Sequence, residues 1–449
     1  MFLSMSSSSS SRHVVFVVSY LRCVLVVVLI VATCCCGQNE DDEIDFPPML
    51  DSEDIAYYSE MYDIDGLYWA LSNVFERSQR NYYTPSKIKY SELPHTLVSR
   101  GGGNTYTTKY KLQLDIEQAK YLIEKYKKKK SNATLAKMIQ KDILPIYEKT
   151  LKNIPELDDL SRTHGLYPFK SQDYDLGIDK VYNKAYHHTA SLVEDDLSTK
   201  PLLSDTLNFT QIEHAYLTSV PQVVVIDDIL SEETLHKIRD ILYESTVWYQ
   251  TKMPLKFGGY VGAYIDDGLY DKILLQLAFE LNKSLPNIIG QSNPLRYLWA
   301  YKYDSRYTGI NTHADQAAVN VNLWITPDDA NLNKDTGGLV IYTAKPPADW
   351  DFVKYNTMTD FVAKELLEPT NYANITVPYK ENRAVIFDSS LFHHTDEFTF
   401  KDGYKNRRIN LTILYGTMNT NDGGNGGGEQ QQQQQQQQAS AGTSSSEEL

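Results

Sequence analysis

The sequence predicts an α+β protein in two parts: a mostly helical region over 39–215, then a sheet-rich region over 216–418. Three observations carry that expectation. Apolar residues recur at helical spacing through 55–75, 112–126 and 135–151. The texture changes at Pro221, where a β-branched run (222–226) begins. Beyond residue 295, six short strand-like segments follow one another with turns between them, the pattern of an antiparallel sandwich or jelly roll.

The elements follow in chain order. No Asp or Glu precedes Glu40, serine fills most of 4–11, and Arg12 and Arg22 bracket a first apolar stretch. About fourteen apolar residues follow Arg22, the size of a signal-peptide core and short of a full membrane span. If Arg22 is tolerated, 14–36 becomes a transmembrane signal anchor that holds the chain at a membrane. Both versions make 1–38 a targeting segment and place the body in the secretory pathway, in the lumen or membrane of the endoplasmic reticulum or Golgi, or outside the cell. A mitochondrial presequence is the third alternative: the acid-poor, Ser-rich start fits it, but two arginines and so many valines do not.

In the helical region, Leu135, Met138, Ile139, Ile143, Ile146 and Leu151 keep helical spacing, and Pro145 should kink or end that helix. The stretch 153–215 is rich in Asp, Tyr and Ser and reads as loop. No internal repeat is present, and no role for 39–215 emerges. Ser231 should cap a helix, with Glu232 and Glu233 in its first turn and Leu235, Ile238 and Leu242 on one face. The six strands are expected at 296–303, 318–325, 337–342, 375–379, 383–388 and 408–416, with a helix-like insert over 358–367. A Gly/Gln/Ser-rich tail, 419–449, should be disordered.

Composition excludes several chemistries. Lys and Arg number 43 against 58 Asp and Glu, a net charge of −15, so nucleic acid is not an expected partner. The basic run 127–130 reads as a solvated helix end. All four cysteines lie within the first 36 residues, so the rest of the chain has no disulfide, thiolate ligand or cysteine nucleophile. Any metal site there must use His, Asp and Glu.

Such a set is present. His313 and Asp315 stand two apart, and positions i and i+2 of an extended chain share a face. A second pair, His393 and His394, follows the strand at 383–388. Two histidines and one carboxylate with open positions form the facial triad of non-haem iron oxygenases. Arg408 then opens a strand on which Arg408, Asn410 and Thr412 share one face, opposite Ile409, Leu411, Ile413 and Tyr415. A polar stripe led by arginine suits a cavity that holds a carboxylate.

The matching stretches are VVVIDDILSEETL (223–235), STVWY (245–249), GYVGAYIDDGL (259–269), YKYDSRYTGINTHADQAAVNVNLWITPDDANL (301–332), TGGLVIY (336–342), DWDF (349–352), NRAVIFDSSLFHHTDEF (382–398) and GYKNRRINLTILYG (403–416). Together they resemble the 2-oxoglutarate and Fe(II)-dependent dioxygenase superfamily, in its prolyl-hydroxylase-like branch of oxygenase domains found elsewhere after tetratricopeptide repeats. The likeness covers roughly 216–418. It implies a double-stranded β-helix, a jelly roll, with His313, Asp315 and His393 as iron ligands and His394 as the competing choice. It implies Arg408 as the 2-oxoglutarate arginine, with Asn410 completing its motif and Arg407 as competitor. Tyr303 and Asn322 become candidates for further cosubstrate hydrogen bonds.

The implied cofactors are Fe(II), with 2-oxoglutarate and O₂ as cosubstrates and ascorbate as an auxiliary reductant. The implied outcome is hydroxylation of a protein or small molecule, with release of succinate and CO₂. Related halogenases carry a small residue at the position of Asp315, so the aspartate favours hydroxylation or oxidative demethylation. The competing alternatives are a non-catalytic jelly-roll binding module (a pseudo-oxygenase or cupin-like lectin) and a metal-dependent hydrolase or isomerase on a cupin-like barrel. The insert 344–378, with Trp350 and Phe352, is expected to act as a lid.

Overall fold

Side-chain alternation on the strands decides how this chain is layered. The computed structural model describes residues 50–81, 105–127, 132–188, 200–347, 349–350 and 352–418. The chain divides into two units. The first, Met1–Phe46, lies outside the described residues, and the second is Pro47–Leu449. The expected targeting segment 1–38, the tail 419–449 and the lysines at 128–130 also fall outside the described residues.

A ladder of two-residue strands, β1 (Tyr106–Thr107) and β2 (Tyr167–Pro168), lies within the helical region. The remaining strands are β3 (Val223–Ile226), β4 (Gln250–Thr251), β5 (Tyr260–Tyr264), β6 (Leu295–Tyr303) and β7 (Val319–Trp324). They are followed by β8 (Leu339–Tyr342), β9 (Asn374–Val377), β10 (Ala384–Asp388), β11 (His393–Thr395) and β12 (Ile409–Tyr415). Seven of these ten strands form an antiparallel sheet in the order β3-β10-β7-β12-β6-β5-β4, and the other three form a smaller sheet, β11-β8-β9. The structure is thus a mixed helix-and-sheet architecture with one large antiparallel sheet.

The large sheet has two unlike faces. On one, Val261, Leu298, Ala300, Val321, Leu323, Ile386, Ile409, Leu411 and Ile413 are aliphatic. They pack in one core with Leu235, Ile238 and Leu242 of the helix Glu232–Glu244, and with Ile273, Leu274 and Leu277 of the helix Lys272–Ser284. Ser231 caps the first of these helices by accepting the Thr234 N–H at 3.2 Å. The opposite face carries Tyr260, Trp299, Tyr301, Tyr303, Trp324 and Phe387, packed against Leu339 and Ile341 of the small sheet. The register puts Thr412 opposite both Trp299 and Asn322, so the polar stripe of β12 belongs to this aromatic face.

The helical region shares the aliphatic core. Ile55 of the helix Ser52–Glu60, and Leu67, Leu71 and Phe75 of the helix Ile64–Asn81, are buried in it. The helix Lys109–Tyr126 is buried on two sides. Tyr110 and Leu114 join the sheet core, while Leu112, Ile116, Ala119, Leu122 and Ile123 anchor a second core formed with residues 136–182. Gln118 fastens this helix to the end of Glu232–Glu244, its Nε2 donating to the Tyr243 and Ser245 carbonyls at 3.1 and 2.9 Å.

Three local features differ from expectation. Pro145 falls in the first turn of a helix, Leu144–Leu151, that follows directly on a π-helical turn, Ile139–Ile143, so the chain is helical on both sides of it. At that position the missing N–H costs nothing, because first-turn donors have no intrahelical acceptor. The stretch 153–215 is not all loop, since Asn208 caps a helix, Phe209–Thr218. Among the described residues, no helix is long and apolar enough to cross a membrane, which corrects the expected transmembrane, membrane-held chain. The physical ground lies in the sequence too: the uninterrupted apolar run is about fourteen residues, short of the ~20 that a helical span needs. The segment 14–36 itself is outside the described residues.

Gln118 is buried, so replacing it takes a donor from two helix-end carbonyls, of which Tyr243 keeps the Tyr404 hydroxyl at 2.7 Å. Gln118→Ala should lower unfolding stability by about 1–3 kcal/mol, measured by urea denaturation.

Candidate active site

The turn after β6 and the start of β11 meet through a backbone bridge. His313 N–H donates to the His393 carbonyl at 3.0 Å, and His393 N–H donates back at 2.8 Å. That pairing brings two imidazoles, 80 residues apart in sequence, to a ring-centroid separation of 4.2 Å. Asp315 is tied down by its own N–H, which donates to the Ser389 carbonyl at 3.1 Å. Its carboxylate lies 3.7 Å from His313 Nε2 and 3.6 Å from His393 Nε2. One ligand atom from each of the three residues falls within 4.8 Å of the others, so the group can hold a metal ion.

The tautomers suit that role. His313 Nδ1 contacts the Asn311 carbonyl at 2.8 Å, and His393 Nδ1 contacts the Leu391 carbonyl at 2.9 Å. A carbonyl can only accept, so each Nδ1 carries the proton and each Nε2 keeps its lone pair for a metal. Burial, reinforced by the neighbouring His393, lowers the His313 pKa to about 4, against the pull of Asp315. Burial would raise the Asp315 carboxyl, but the two imidazoles and the Asn320 amide outweigh it and hold the group below its usual range. Phe387 meets His393 edge-on at 4.9 Å.

Sequence reasoning missed two supports of this group. Asn320 Nδ2 donates to Asp315 Oδ2 at 2.9 Å, while its own Oδ1 is buried without a partner. Asn356, from the insert, grips the residue between His313 and Asp315: its Oδ1 accepts the Ala314 N–H at 2.9 Å and its Nδ2 donates to the Ala314 carbonyl at 2.8 Å. The insert therefore contributes to the site, with Asn356 and Thr359 in its wall. Trp350 stacks on Phe361 at 5.1 Å, within the insert. His394 points elsewhere. Its ring lies 5.5 Å from Tyr342, its Nδ1 is buried without a partner, and it is absent from the wall of the His313–Asp315 cavity.

That cavity encloses about 680 Å³ and is bounded by His313, Asp315 and His393 together with Arg408, Asn410 and Thr412. Arg408 is 2% exposed. Its Nε donates to the Gly337 carbonyl at 2.7 Å and its Nη2 to the Gly338 carbonyl at 3.1 Å, with Asn410 Oδ1 at 3.4 Å from Nη1. Its guanidinium carbon sits 4.7 Å above the Tyr303 ring. Among the described residues no carboxylate pairs with it. Arg407, in contrast, is paired twice, with Glu117 and Asp304. Burial pushes the Tyr303 phenol up to about 12, so it stays protonated and able to donate.

Asn322 lines the same cavity, with one amide N–H donating to Thr412 Oγ1 at 3.2 Å and its Oδ1 accepting from Trp324 Nε1 at 2.9 Å. Tyr260, Tyr301 and Trp299 form an aromatic wall, with Tyr260 4.7 Å from Tyr301. Gly338 has to be glycine: a Cβ there would fall 1.9 Å from the Val377 carbonyl oxygen.

No protein-family model and no curated protein sequence matches the chain. Among solved structures, it is similar to an oxidoreductase of the 2OG-Fe(II) oxygenase family from Burkholderia pseudomallei (9% identity, TM-score 0.32), covering 48% of this chain and 94% of that one. It is similar to a prolyl-4-hydroxylase from Pseudomonas putida (13% identity, TM-score 0.30), covering 47% and 100%. A third is HygX from Streptomyces hygroscopicus with nickel, 2-oxoglutarate and hygromycin B bound (11% identity, TM-score 0.31), covering 45% and 86%. The solved structures similar to this chain thus include 2OG-Fe(II) oxygenase family proteins. At such TM-scores the overlap is partial, and the chemistry of the site rests on this chain's own side chains.

The low His313 pKa has a measurable consequence for the metal-free protein. The unfolded chain takes up the proton near pH 6.5 and the folded chain only near 4, so stability falls as pH drops through that window. Imidazole ¹⁵N shifts should show His313 neutral at pH 5; a midpoint near 6.5 would contradict the burial described.

Proposed function

We propose that this chain is an Fe(II)- and 2-oxoglutarate-dependent dioxygenase, a hydroxylase of a protein or small-molecule substrate, on a double-stranded β-helix fold. The observation that carries the proposal is the buried Arg408, with no carboxylate partner among the described residues, facing the same cavity as the His313–Asp315–His393 group. A buried cation without a counter-ion is costly. A dicarboxylate whose far end meets Arg408 and whose near end meets a metal satisfies both ends of the cavity at once.

In this proposal His313, Asp315 and His393 hold Fe(II) through two neutral imidazoles and one carboxylate, a set matched to that ion. Arg408 takes the distal carboxylate of 2-oxoglutarate, with the Tyr303 hydroxyl and Asn410 beside it. Asn322, bonded to Trp324 and Thr412, lines the cavity as a further candidate for a cosubstrate hydrogen bond. The bound iron supplies O₂ activation coupled to decarboxylation of 2-oxoglutarate to succinate and CO₂. The chain itself orients the dicarboxylate, keeps Nε2 of each histidine unprotonated and excludes water behind the aromatic wall. O₂ is the second cosubstrate, and ascorbate fits as an auxiliary reductant.

Succinate release that requires both Fe(II) and 2-oxoglutarate tests the proposal. Asp315→Ala should abolish it. Arg408→Gln should weaken 2-oxoglutarate binding by about 2 kcal/mol or more, roughly thirtyfold, while Fe(II) affinity holds. Equal loss of iron and cosubstrate in the Arg408 variant would contradict the assignment.

A further inference from the structure

The helix Lys109–Tyr126 contributes nothing to the wall of the cavity, yet three of its side chains reach the strand ends that carry Tyr303 and Arg408. Tyr110, Gln113 and Glu117 stand at i, i+3 and i+7, on one helical face. The Tyr110 hydroxyl donates to the Lys302 carbonyl at 2.8 Å. Glu117 receives Arg407 at two points, Nη2 at 2.6 Å and Nε at 3.1 Å. Arg407 Nη1 also donates to Asp304 Oδ2 at 2.6 Å. Asp304 is buried and receives Arg306 as well, whose Nη2 extends to Gln113 Oε1 at 2.9 Å.

The contacts of Tyr110 and Glu117 fall on Lys302 and Arg407, and Arg407 in turn meets Asp304, so they reach the residues flanking Tyr303 and Arg408, not those two. Neighbours in an extended chain point to opposite faces, so Asp304 and Arg407 face the helix while Tyr303 and Arg408 face the cavity. The two strands are also joined here, Tyr303 N–H donating to the Arg408 carbonyl at 3.0 Å. The network sums to neutral, with Glu117 and Asp304 against Arg407 and Arg306. It therefore pairs Glu117 and Asp304 with Arg407 and Arg306, and among the described residues no carboxylate pairs with Arg408.

We propose that Glu117, Arg407 and Asp304 are positioning residues for the cosubstrate end of the cavity, through which the helical region sets the Tyr303–Arg408 pair. The proposal rests on the assignment of Arg408 to 2-oxoglutarate. The two-point carboxylate–guanidinium bond is directional, so its loss lets the 302–304 and 407–408 segments shift together.

The test uses the full chain, titrating 2-oxoglutarate anaerobically into the Fe(II) protein and following the metal-to-ligand charge-transfer band. Glu117→Gln and Arg407→Gln should each raise half-saturation about tenfold and leave Fe(II) affinity, read by chelator competition, unchanged. Glu117 is isosteric with its replacement and its side chain is 29% exposed, so the fold survives that change. Gln118→Ala, on the same helix but bonded to other carbonyls, should lose stability without moving half-saturation. Unchanged half-saturation in both network variants, or an equal shift in Gln118→Ala, would overturn the positioning role alone. A wild-type protein that gives no band would remove the cosubstrate assignment, and this proposal with it.

Discussion

Arg408 is the constraint around which the cavity is arranged. A guanidinium taken out of water needs compensation, and here it finds two backbone carbonyls, one distant amide oxygen and the face of Tyr303, but no carboxylate among the described residues. The carbonyls belong to Gly337 and Gly338, where the small sheet approaches the large one closely enough that a Cβ at residue 338 would fall 2.7 Å from the Trp324 ring of β7. Within the small sheet β8 pairs with β11, whose first residue is His393. The cation at one end of the cavity and the histidine pair at the other are therefore consequences of one packing of two sheets.

The two faces of the large sheet divide the work of folding from the work of chemistry. Its aliphatic face packs with the helices in one buried core, and burial of apolar surface is the main favourable term in folding. Its other face can then carry tyrosines, asparagines and an arginine whose hydrogen bonds are largely satisfied within the sheet, as in the Asn322–Thr412 and Asn410–Thr412 pairs. The exception is the Asn320 carbonyl oxygen, buried without a partner beside Asp315. An unsatisfied polar atom next to a ligand group marks where a further molecule belongs.

Part of this was legible in the sequence because it is written in local periodicity. Period-two alternation on 408–415 separates Arg408, Asn410 and Thr412 from Ile409, Leu411 and Ile413, and the register bears that separation out. The His313-Ala314-Asp315 spacing puts two ligand side chains within reach of one point. The remainder depends on contacts with no local signature. Asn356 holds Ala314 across 42 positions, Tyr110 reaches Lys302 across 192, and Glu117 meets Arg407 across 290. Nothing in the neighbourhood of Glu117 distinguishes it from any solvated helix carboxylate. For the same reason the helical region offered no role until its contacts were seen, and the helix Lys272–Ser284, buried by tertiary packing, was not anticipated.

The central claim is that one dicarboxylate bridges the metal group and Arg408. A crystal structure of the full chain with Mn(II) and 2-oxoglutarate tests it most directly. The account predicts the metal on His313, Asp315 and His393, and the far carboxylate in ion-pair contact with the Arg408 guanidinium beside the Tyr303 hydroxyl. A dicarboxylate bound outside this cavity, or one that meets the metal while Arg408 stays without a carboxylate, would contradict it.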